Sequence, residues 1–471
     1  MNEMRKNIRR VFWLYFIMFL TVVIYLGKFI LIDGPNTVNS MYNPRLNRVY
    51  DNIKRGSILD RNGNILAESL PVTNDNGEAV YARAYPYGSL FAHTVGFIHE
   101  TKSGAEAKYN FVLNNLDLEI WQRIKNIAVK EPLVGDSIKL TLDMNLQELI
   151  KKELGQTKGA AVVMEPDTGK VLAMVSYPDF DPNSIADDWE WLSEDTEGSP
   201  LINRASQGLY PPGSVFKVVT ADAIINNKPD YASYYYECTG EAVFGDSVIH
   251  CFDSKSHGSV NLSDAIKYSC NTYFATVINE IGYDKLAASA QKVLFNADYN
   301  FDLEHVLSRF NAPETEDKLT TSEIIQTAIG QGKTLVTPVH MAMITSAIAN
   351  NGVMMEPFVC EQVLSPQGRV KSVISPKVAA TVFSPAVSNI IKDMMVSVVD
   401  GGTGTNAAVY GIKVAGKTGT AQNETSEDHG WFIAFAPADD PKIAIAIVTE
   451  NTEGASKATT MAGKIFESYL K

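Results

Sequence analysis

Ser214 and Lys217 stand three residues apart, just after a Pro211-Pro212-Gly213 turn and at the start of an apolar run through Val215, Phe216, Val218 and Val219. Proline and glycine stop the preceding element, and a serine at a helix start can cap free backbone N–H groups. On the helix expected to follow, positions i and i+3 share a face, so Ser214 and Lys217 are expected to touch. A serine hydroxyl is a weak nucleophile until a base takes its proton, and a desolvated lysine can be that base. Backbone N–H groups at a helix N-terminus also favour a developing oxyanion. The pattern alone is common. Ser289-x-x-Lys292 and Ser468-x-x-Lys471 repeat it in the same chain and read as capped or solvated helix positions.

Two further elements follow in order. Ser269-Cys270-Asn271 falls inside a helical pattern that begins near Leu262. A second hydroxyl can relay a proton toward a leaving group, and an asparagine amide can bind both a lysine and a substrate carbonyl. Lys417-Thr418-Gly419 follows a strand-like run and precedes Thr420-Ala421. A lysine and a hydroxyl there can bind an anionic carboxylate, and the glycine lets a substrate backbone approach the strand. Taken singly, the first reads equally as a polar helix surface and the second as a plain turn. Lys102-Ser103-Gly104 nearly copies the second but lies upstream of Ser214.

The elements that must position these groups are readable in outline. Arg55 to Leu66 places two short apolar pieces around Asn62-Gly63, a hairpin signal. Residues 105–130 carry helical spacing through Tyr109, Val112, Leu113, Leu116, Ile120 and Ile124, and Ile138 to Asp143 alternates like a strand before a helix from about Leu146. Ala160–Met164 and Val171–Val175 flank a Glu165-Pro-Asp-Thr-Gly169 turn, again a hairpin. Helical patterns dominate from Ser214 to about residue 350. Strands are expected at Ile412–Ala415, Trp431–Phe435 and Ile443–Val448, with a closing helix at Phe466–Leu470. This order predicts an α+β fold in which one antiparallel sheet packs between helices.

The chain has 471 residues, enough for two or three domains, with 45% hydrophobic content and a net charge of −13. No basic patch offsets that charge, which argues against nucleic acid as a partner. Arg5, Lys6, Arg9 and Arg10 precede Val11 to Ile32, which is apolar apart from Thr21 and Lys28. That run is long enough to cross a bilayer, with Lys28 snorkelling to the interface. The basic cluster is expected to stay in the cytoplasm and leave the rest of the chain outside. A cleaved signal peptide is the rival reading, but the apolar run is long for one and no small-x-small site follows it. Four cysteines, Cys238, Cys251, Cys270 and Cys360, are too few for a disulfide scaffold and form no C-x-x-C zinc pair. Cys251–Cys270 and Cys238–Cys251 are competing disulfide pairs, with buried free thiols as the alternative to both.

The ordered set S-x-x-K, S-x-N, K-T-G resembles the penicillin-recognising acyl-serine transferases, and within them the class B penicillin-binding proteins. The resemblance extends from Arg55-Gly-x-Ile-x-Asp-Arg-Asn-Gly63 through Arg83-x-Tyr-Pro86, His93-x-x-Gly96 and Gly159 to Gly169. It continues through His257-Gly258, Ile329-Gly-Gln-Gly332 with Thr337-Pro338, and Ala415 to Ala421. It implies a peptidoglycan D,D-transpeptidase, inhibited by β-lactams, that needs no metal or cofactor. Ser214 would attack the penultimate D-alanine carbonyl of a D-Ala-D-Ala stem peptide and Lys217 would take its proton. Ser269 would pass a proton to the departing D-alanine, and Asn271 would orient Lys217 and the donor amide. Lys417, Thr418, Gly419 and Thr420 would bind the substrate, with the lysine and threonines on its terminal carboxylate. The N–H groups of Ser214 and Thr420 would form the oxyanion hole.

The implied organisation is a cytoplasmic tail (1–10), a transmembrane anchor (11–32), a linker with a reduced pedestal domain (33–150) and a transpeptidase domain (151–471). The pedestal leaves no room for a glycosyltransferase domain. A polytopic glycan polymerase of the elongation, division or sporulation type is therefore the implied partner. A membrane-tethered β-lactamase shares the three motifs. It would need a base for deacylation, and Glu304-x-x-Leu307 lies where one is expected but is followed by Ser308, not asparagine. A D,D-carboxypeptidase and a non-catalytic cell-wall scaffold are the remaining alternatives.

Overall fold

An apolar run without interior proline has every reason to be helical where no water competes for its backbone. In the computed structural model, which describes residues 2–28, 53–73, 77, 79–114, 133–311, 319–422 and 427–471, this run forms helix α1, Asn2–Lys28. It is long and apolar enough to cross a membrane. Residues 29–32 of the expected anchor lie outside the described residues.

The hairpin read at Asn62-Gly63 forms between β1 (Ile58–Leu59) and β2 (Ile65–Thr73). The buried Asp60 carboxylate organises the turn by accepting the N–H groups of Asn62 and Asn64, each at 2.8 Å. Strand β3 (Ala79–Ala84) pairs antiparallel with β2, and β4 (Ser137–Leu140) runs parallel to β1. Of the helix expected over 105–130, two short turns form, Gly104–Lys108 and Asn110–Leu113, and residues 115–130 lie outside the described residues.

Arg55 and Arg83 meet in this region on one wholly buried carboxylate. Arg55 Nε lies 2.7 Å and Arg83 Nε 2.6 Å from the two oxygens of Glu106. Burial alone would raise the Glu106 pKa, but the charges of Arg83 and Arg55 hold it below its usual 4.5. The stability this carboxylate contributes is present above that value and is lost as pH falls through the lower folded-state value. Glu106→Gln leaves two buried guanidiniums without their counter-charge and is expected to cost about 3–5 kcal/mol, read as a lower denaturant midpoint at neutral pH.

Asp143 caps helix α2 (Met144–Leu154), its side chain accepting from the Leu146 N–H. The second hairpin follows as β5 (Gly159–Met164) and β6 (Val171–Tyr177). Helix α3 (Lys217–Asn227) begins the helical middle, which four short strands interrupt: β7 (Tyr236–Cys238), β8 (Glu241–Phe244), β9 (Ser247–His250) and β10 (Gly258–Val260). They make two separate two-stranded ribbons, β8–β9 and β7–β10. The sequence reading missed them because strands of three or four residues carry almost no periodicity. Helices α4 (Leu262–Lys267), α5 (Asn271–Ile281) and α6 (Pro338–Ala349) continue the chain. Strand β11 (Cys360–Leu364) then returns to pair antiparallel with β4, and β12 (Val370–Val373) joins its edge. One six-stranded sheet results, in the order β12-β11-β4-β1-β2-β3.

After α7 (Pro385–Gly401) come β13 (Ala415–Ala421), β14 (His429–Ala436), β15 (Ile443–Thr449) and α8 (Ser456–Leu470). The run Ile412–Ala415, expected as a strand, contributes only Ala415 to β13. The second sheet, all antiparallel, has the order β13-β14-β15-β5-β6. Both its faces are covered, so β5, β6, β14 and β15 read as largely apolar runs. Ala160, Val162, Met164, Ala444, Ala446 and Val448 join one core with α6 residues. Ala161, Val163, Ile443, Ile445 and Ile447 join a second core with residues of α2 and α8. The antiparallel sheet between helices is as the sequence implied.

Candidate active site

Gly213 sets the position of Ser214. Its φ is +52°, a left-handed value that favours glycine, and its N–H donates to the Gly330 carbonyl at 2.8 Å. A Cβ on Gly213 would lie 2.4 Å from the Thr420 oxygen, and one on Gly330 would lie 2.1 Å from the Gly213 oxygen. The turn carrying Ser214 is thus wedged between the Gly330 loop and strand β13. Gln331 Nε2 donates to the Thr420 carbonyl at 3.3 Å, and Trp431 Nε1 to the Pro211 carbonyl at 3.0 Å. Upstream, Tyr210 Oη donates to Glu450, which Arg204 also holds. These clamps, Tyr210, Gln331, Trp431 and Glu450, were not singled out in sequence. Gln331 lay in a quoted motif and Trp431 opened an expected strand, neither with a role assigned.

Three expectations are corrected by this geometry. Gly213–Phe216 is a 3-10 turn, and α3 begins at Lys217, so Ser214 is not a helix cap; Pro212 holds that position. Ser269 and Cys270 lie between α4 and α5 instead of inside one helix, Asn271 is the first residue of α5, and Ser269 has φ +59°. Lys417-Thr418-Gly419 lies within β13, not just after the strand-like run expected to end at Ala415.

Within this frame the predicted residues converge. Lys217 is fully buried, and its Nζ donates to the Ser269 carbonyl at 2.8 Å, to Ser269 Oγ at 3.2 Å and to Asn271 Oδ1 at 2.6 Å. These take all three ammonium protons, and Ser214 Oγ is not among the partners. Burial lowers the Lys217 pKa to about 8. Lys417 is buried as deeply. Its Nζ donates to Ser269 Oγ at 3.0 Å and to the Thr418 carbonyl at 2.9 Å. Burial and then the charge of Lys217 push its pKa well below the usual value. Lys417 therefore faces Ser269 directly and not an open groove. Ser269 Oγ has two acceptor sites, and two lysines occupy them, so its own proton must point elsewhere. That makes Ser269 a hydroxyl donor between two proton reservoirs.

Asn271 opens α5. Its Nδ2 donates to the His250 carbonyl at 2.9 Å, which fixes Oδ1 toward Lys217. Thr418 Oγ1 lies 2.5 Å from Thr403 Oγ1, while Thr420 stays half-buried. A Cβ on Gly419 would lie 2.9 Å from Val215, so glycine is what lets β13 close on the Ser214 turn. The arrangement can activate a serine, pass a proton through a second serine and hold a carbonyl against a strand edge. Glu304, the alternative base, is exposed, and Ser308 is buried where its Oγ accepts from the Thr337 N–H at 3.2 Å. All four cysteines are free thiols, so neither expected disulfide pair is formed.

A family model described as penicillin binding protein transpeptidase domain matches residues 159–471, and one described as penicillin binding protein A dimerisation domain matches 55–138. The chain belongs to the penicillin-binding protein transpeptidase family. The class B resemblance read from the motifs holds for this penicillin-binding protein. It is 30% identical over 442 residues to the peptidoglycan D,D-transpeptidase PbpA of Mycolicibacterium smegmatis, covering 88% of this chain and 86% of that one. The D,D-transpeptidase domain of a peptidoglycan glycosyltransferase from Eggerthella lenta superposes with TM-score 0.80 at 32% identity, covering 89% and 98% of the two chains. Penicillin-binding protein A from M. tuberculosis, solved as a ceftriaxone acyl-enzyme complex, superposes with TM-score 0.81 at 27% identity, covering 89% and 99%.

Proposed function

We propose that this penicillin-binding protein is a peptidoglycan D,D-transpeptidase acting through a Ser214 acyl-enzyme. The observation that carries the reading is the buried chain Lys217–Ser269–Lys417 beside a serine turn that is wedged against β13. In this reading Lys217, neutral for a larger fraction of the time because it is buried, takes the Ser214 proton as Oγ attacks the penultimate D-alanine carbonyl. The N–H groups of Ser214 and Thr420 receive the oxyanion. The C–N bond then breaks, and the departing D-alanine nitrogen takes a proton from Ser269, which is refilled through Lys417 or Lys217. The amine of a neighbouring stem peptide attacks the ester, forms the cross-link and regenerates Ser214. Asn271 keeps Lys217 in place, and Thr418 and Thr420 on β13 bind the terminal carboxylate.

In the same reading residues 33–150 are the pedestal and 151–471 the catalytic unit. The basic N-terminus stays in the cytoplasm, the remainder works outside on stem peptides, β-lactams acylate Ser214, and a polytopic polymerase supplies the glycan.

The test is intact-protein mass over time after mixing the full chain, in detergent, with benzylpenicillin. A one-drug adduct that persists is the expected result, with the same lifetime in Glu304→Gln because Glu304 is exposed. An adduct that vanishes while hydrolysed drug accumulates would replace this reading with a β-lactamase, and no adduct would replace it with a scaffold. Incubation with a D-Ala-D-Ala pentapeptide separates the last pair: cross-linked dimer marks a transpeptidase, and trimmed peptide alone marks a carboxypeptidase.

A further inference from the structure

The two ribbons β7–β10 and β8–β9 have no core of their own. The exposed face of β8–β9 carries Val243 and Val248, while Cys238, Ile249 and Val260 of the two ribbons join the main core, without which a two-stranded ribbon is marginally stable in water. What they share is a knot of side chains on their inner side. Cys238 ends β7, Cys251 follows β9, His257 precedes β10, and Cys270 follows α4. The three Sγ atoms and one imidazole nitrogen all lie within 4.8 Å of one another. Cys238 and Cys251 Sγ are 3.7 Å apart, Cys251 and Cys270 Sγ 3.8 Å, and Cys238 Sγ is 3.4 Å from His257 Nδ1.

We propose that Cys238, Cys251, His257 and Cys270 form a structural zinc site that locks the Ser269–Asn271 loop into its observed conformation. A tetrahedron with Zn–S bonds of about 2.3 Å has S···S edges of about 3.8 Å and S···N edges of about 3.6 Å. The three separations given above match these edges, the others stay within 4.8 Å, and the S···S distances far exceed a disulfide bond of about 2.05 Å. Three thiols and one imidazole, with no carboxylate, are a closed structural set that suits zinc over hard cations. The surroundings fit as well. Thr272 Oγ1 lies 3.2 Å from Cys238 Sγ and 3.3 Å from Cys270 Sγ, where a hydroxyl stabilises metal-bound thiolate. The three sulfurs are buried, while the His257 ring stacks on Tyr268 at the rim. The sequence reading expected no metal and found no C-x-x-C, because the nearest two cysteines in the chain are 13 residues apart.

The consequence rests on the proposed function. Cys270 sits between Ser269 and Asn271, the two residues that hold Lys217. His250, whose carbonyl holds Asn271, is the neighbour of Cys251. An ion at this knot therefore positions both sides of the Lys217 cradle without touching substrate.

The test uses the full chain in detergent, purified without metal-affinity resin. Elemental analysis is expected to find about one zinc per chain, lost in Cys251→Ser and after dialysis against a strong chelator. Cobalt(II) added to the chelated wild type is expected to give the intense visible bands of a tetrahedral thiolate complex. Thr272→Ala should still fold and bind the ion about 10-fold to 100-fold more weakly. Chelation should also slow benzylpenicillin acylation about 10-fold or more, with recovery on adding zinc. Absence of zinc together with silent cobalt spectra would overturn the site. A chain lighter by two hydrogens under non-reducing conditions would replace it with a disulfide. Zinc present but no acylation change on its removal would overturn the positioning role. If zinc is bound but no variant or wild type ever acylates, the proposed function fails and the metal site stands.

Discussion

Ser214→Ala is expected to abolish the benzylpenicillin adduct, lowering acylation by at least about 10³-fold, while leaving the thermal midpoint near that of the wild type. The activity loss follows because no other hydroxyl can replace the nucleophile. Ser269 Oγ is the nearest in role, but it is committed to two lysines. The small stability effect follows from position: Ser214 is half-buried, lies outside the hydrogen-bond set of Lys217 and caps no helix. A surface-like truncation of this kind is worth within about 0.5 kcal/mol. Intact mass and a melting curve on the same sample check both halves. Residual adduct at Lys217 or Ser269 would sink the assignment of Ser214.

Gly213→Ala is expected to lower acylation about 10²-fold and to destabilise the chain by about 2–4 kcal/mol, although no reacting atom is altered. The left-handed φ costs a non-glycine residue about 1–2 kcal/mol, and the new methyl must push the Thr420 carbonyl away from 2.4 Å. Ser214 and β13 would separate by a fraction of an ångström to an ångström, a scale at which catalysis loses about two orders of magnitude. Gly411→Ala is the matched control. Gly411 has φ +81° with open space at its Cβ, so it carries the backbone cost alone and should leave acylation unchanged. Equal acylation loss in both variants would mean that strain anywhere, not the contact with Thr420, is responsible.

The chemistry was more legible than the geometry around it. The meeting of Lys217, Ser269, Asn271 and Lys417 was readable because the ordered set of three motifs resembles one family, whereas each motif alone is common. The central sheet was readable because strands buried on both faces, such as Ile443–Thr449, leave continuous apolar runs. Where the motifs sit was misread by one element each. Ser269 lies in a left-handed residue between helices, a conformation that periodicity cannot signal. Lys417 was placed after the strand because a lysine and two threonines break the apolar pattern that marks the other strands of the sheet. Tyr210, Gln331, Trp431 and Glu450 act through backbone carbonyls and long-range pairs, so no local spacing betrays them. The cysteine knot was invisible for the same reason: its members are near neighbours only after two ribbons form.

The pairing of β4 with β11 bears on how the chain is made. Residues 137–140 are synthesised long before 360–364, so the first four strands of the six-stranded sheet emerge with one side of β4 unpaired. An open strand edge invites pairing with other chains until its own partner arrives. The pairing is also between distant segments, which slows folding. The N-terminal strands are therefore not a module that finishes first and waits. Their sheet closes only once the Ser214, Ser269 and cysteine-cluster segments have been synthesised. A nascent chain stalled before residue 364 would present a sticky, half-built platform, and pulse-proteolysis of such truncated chains should find β1 to β4 unprotected.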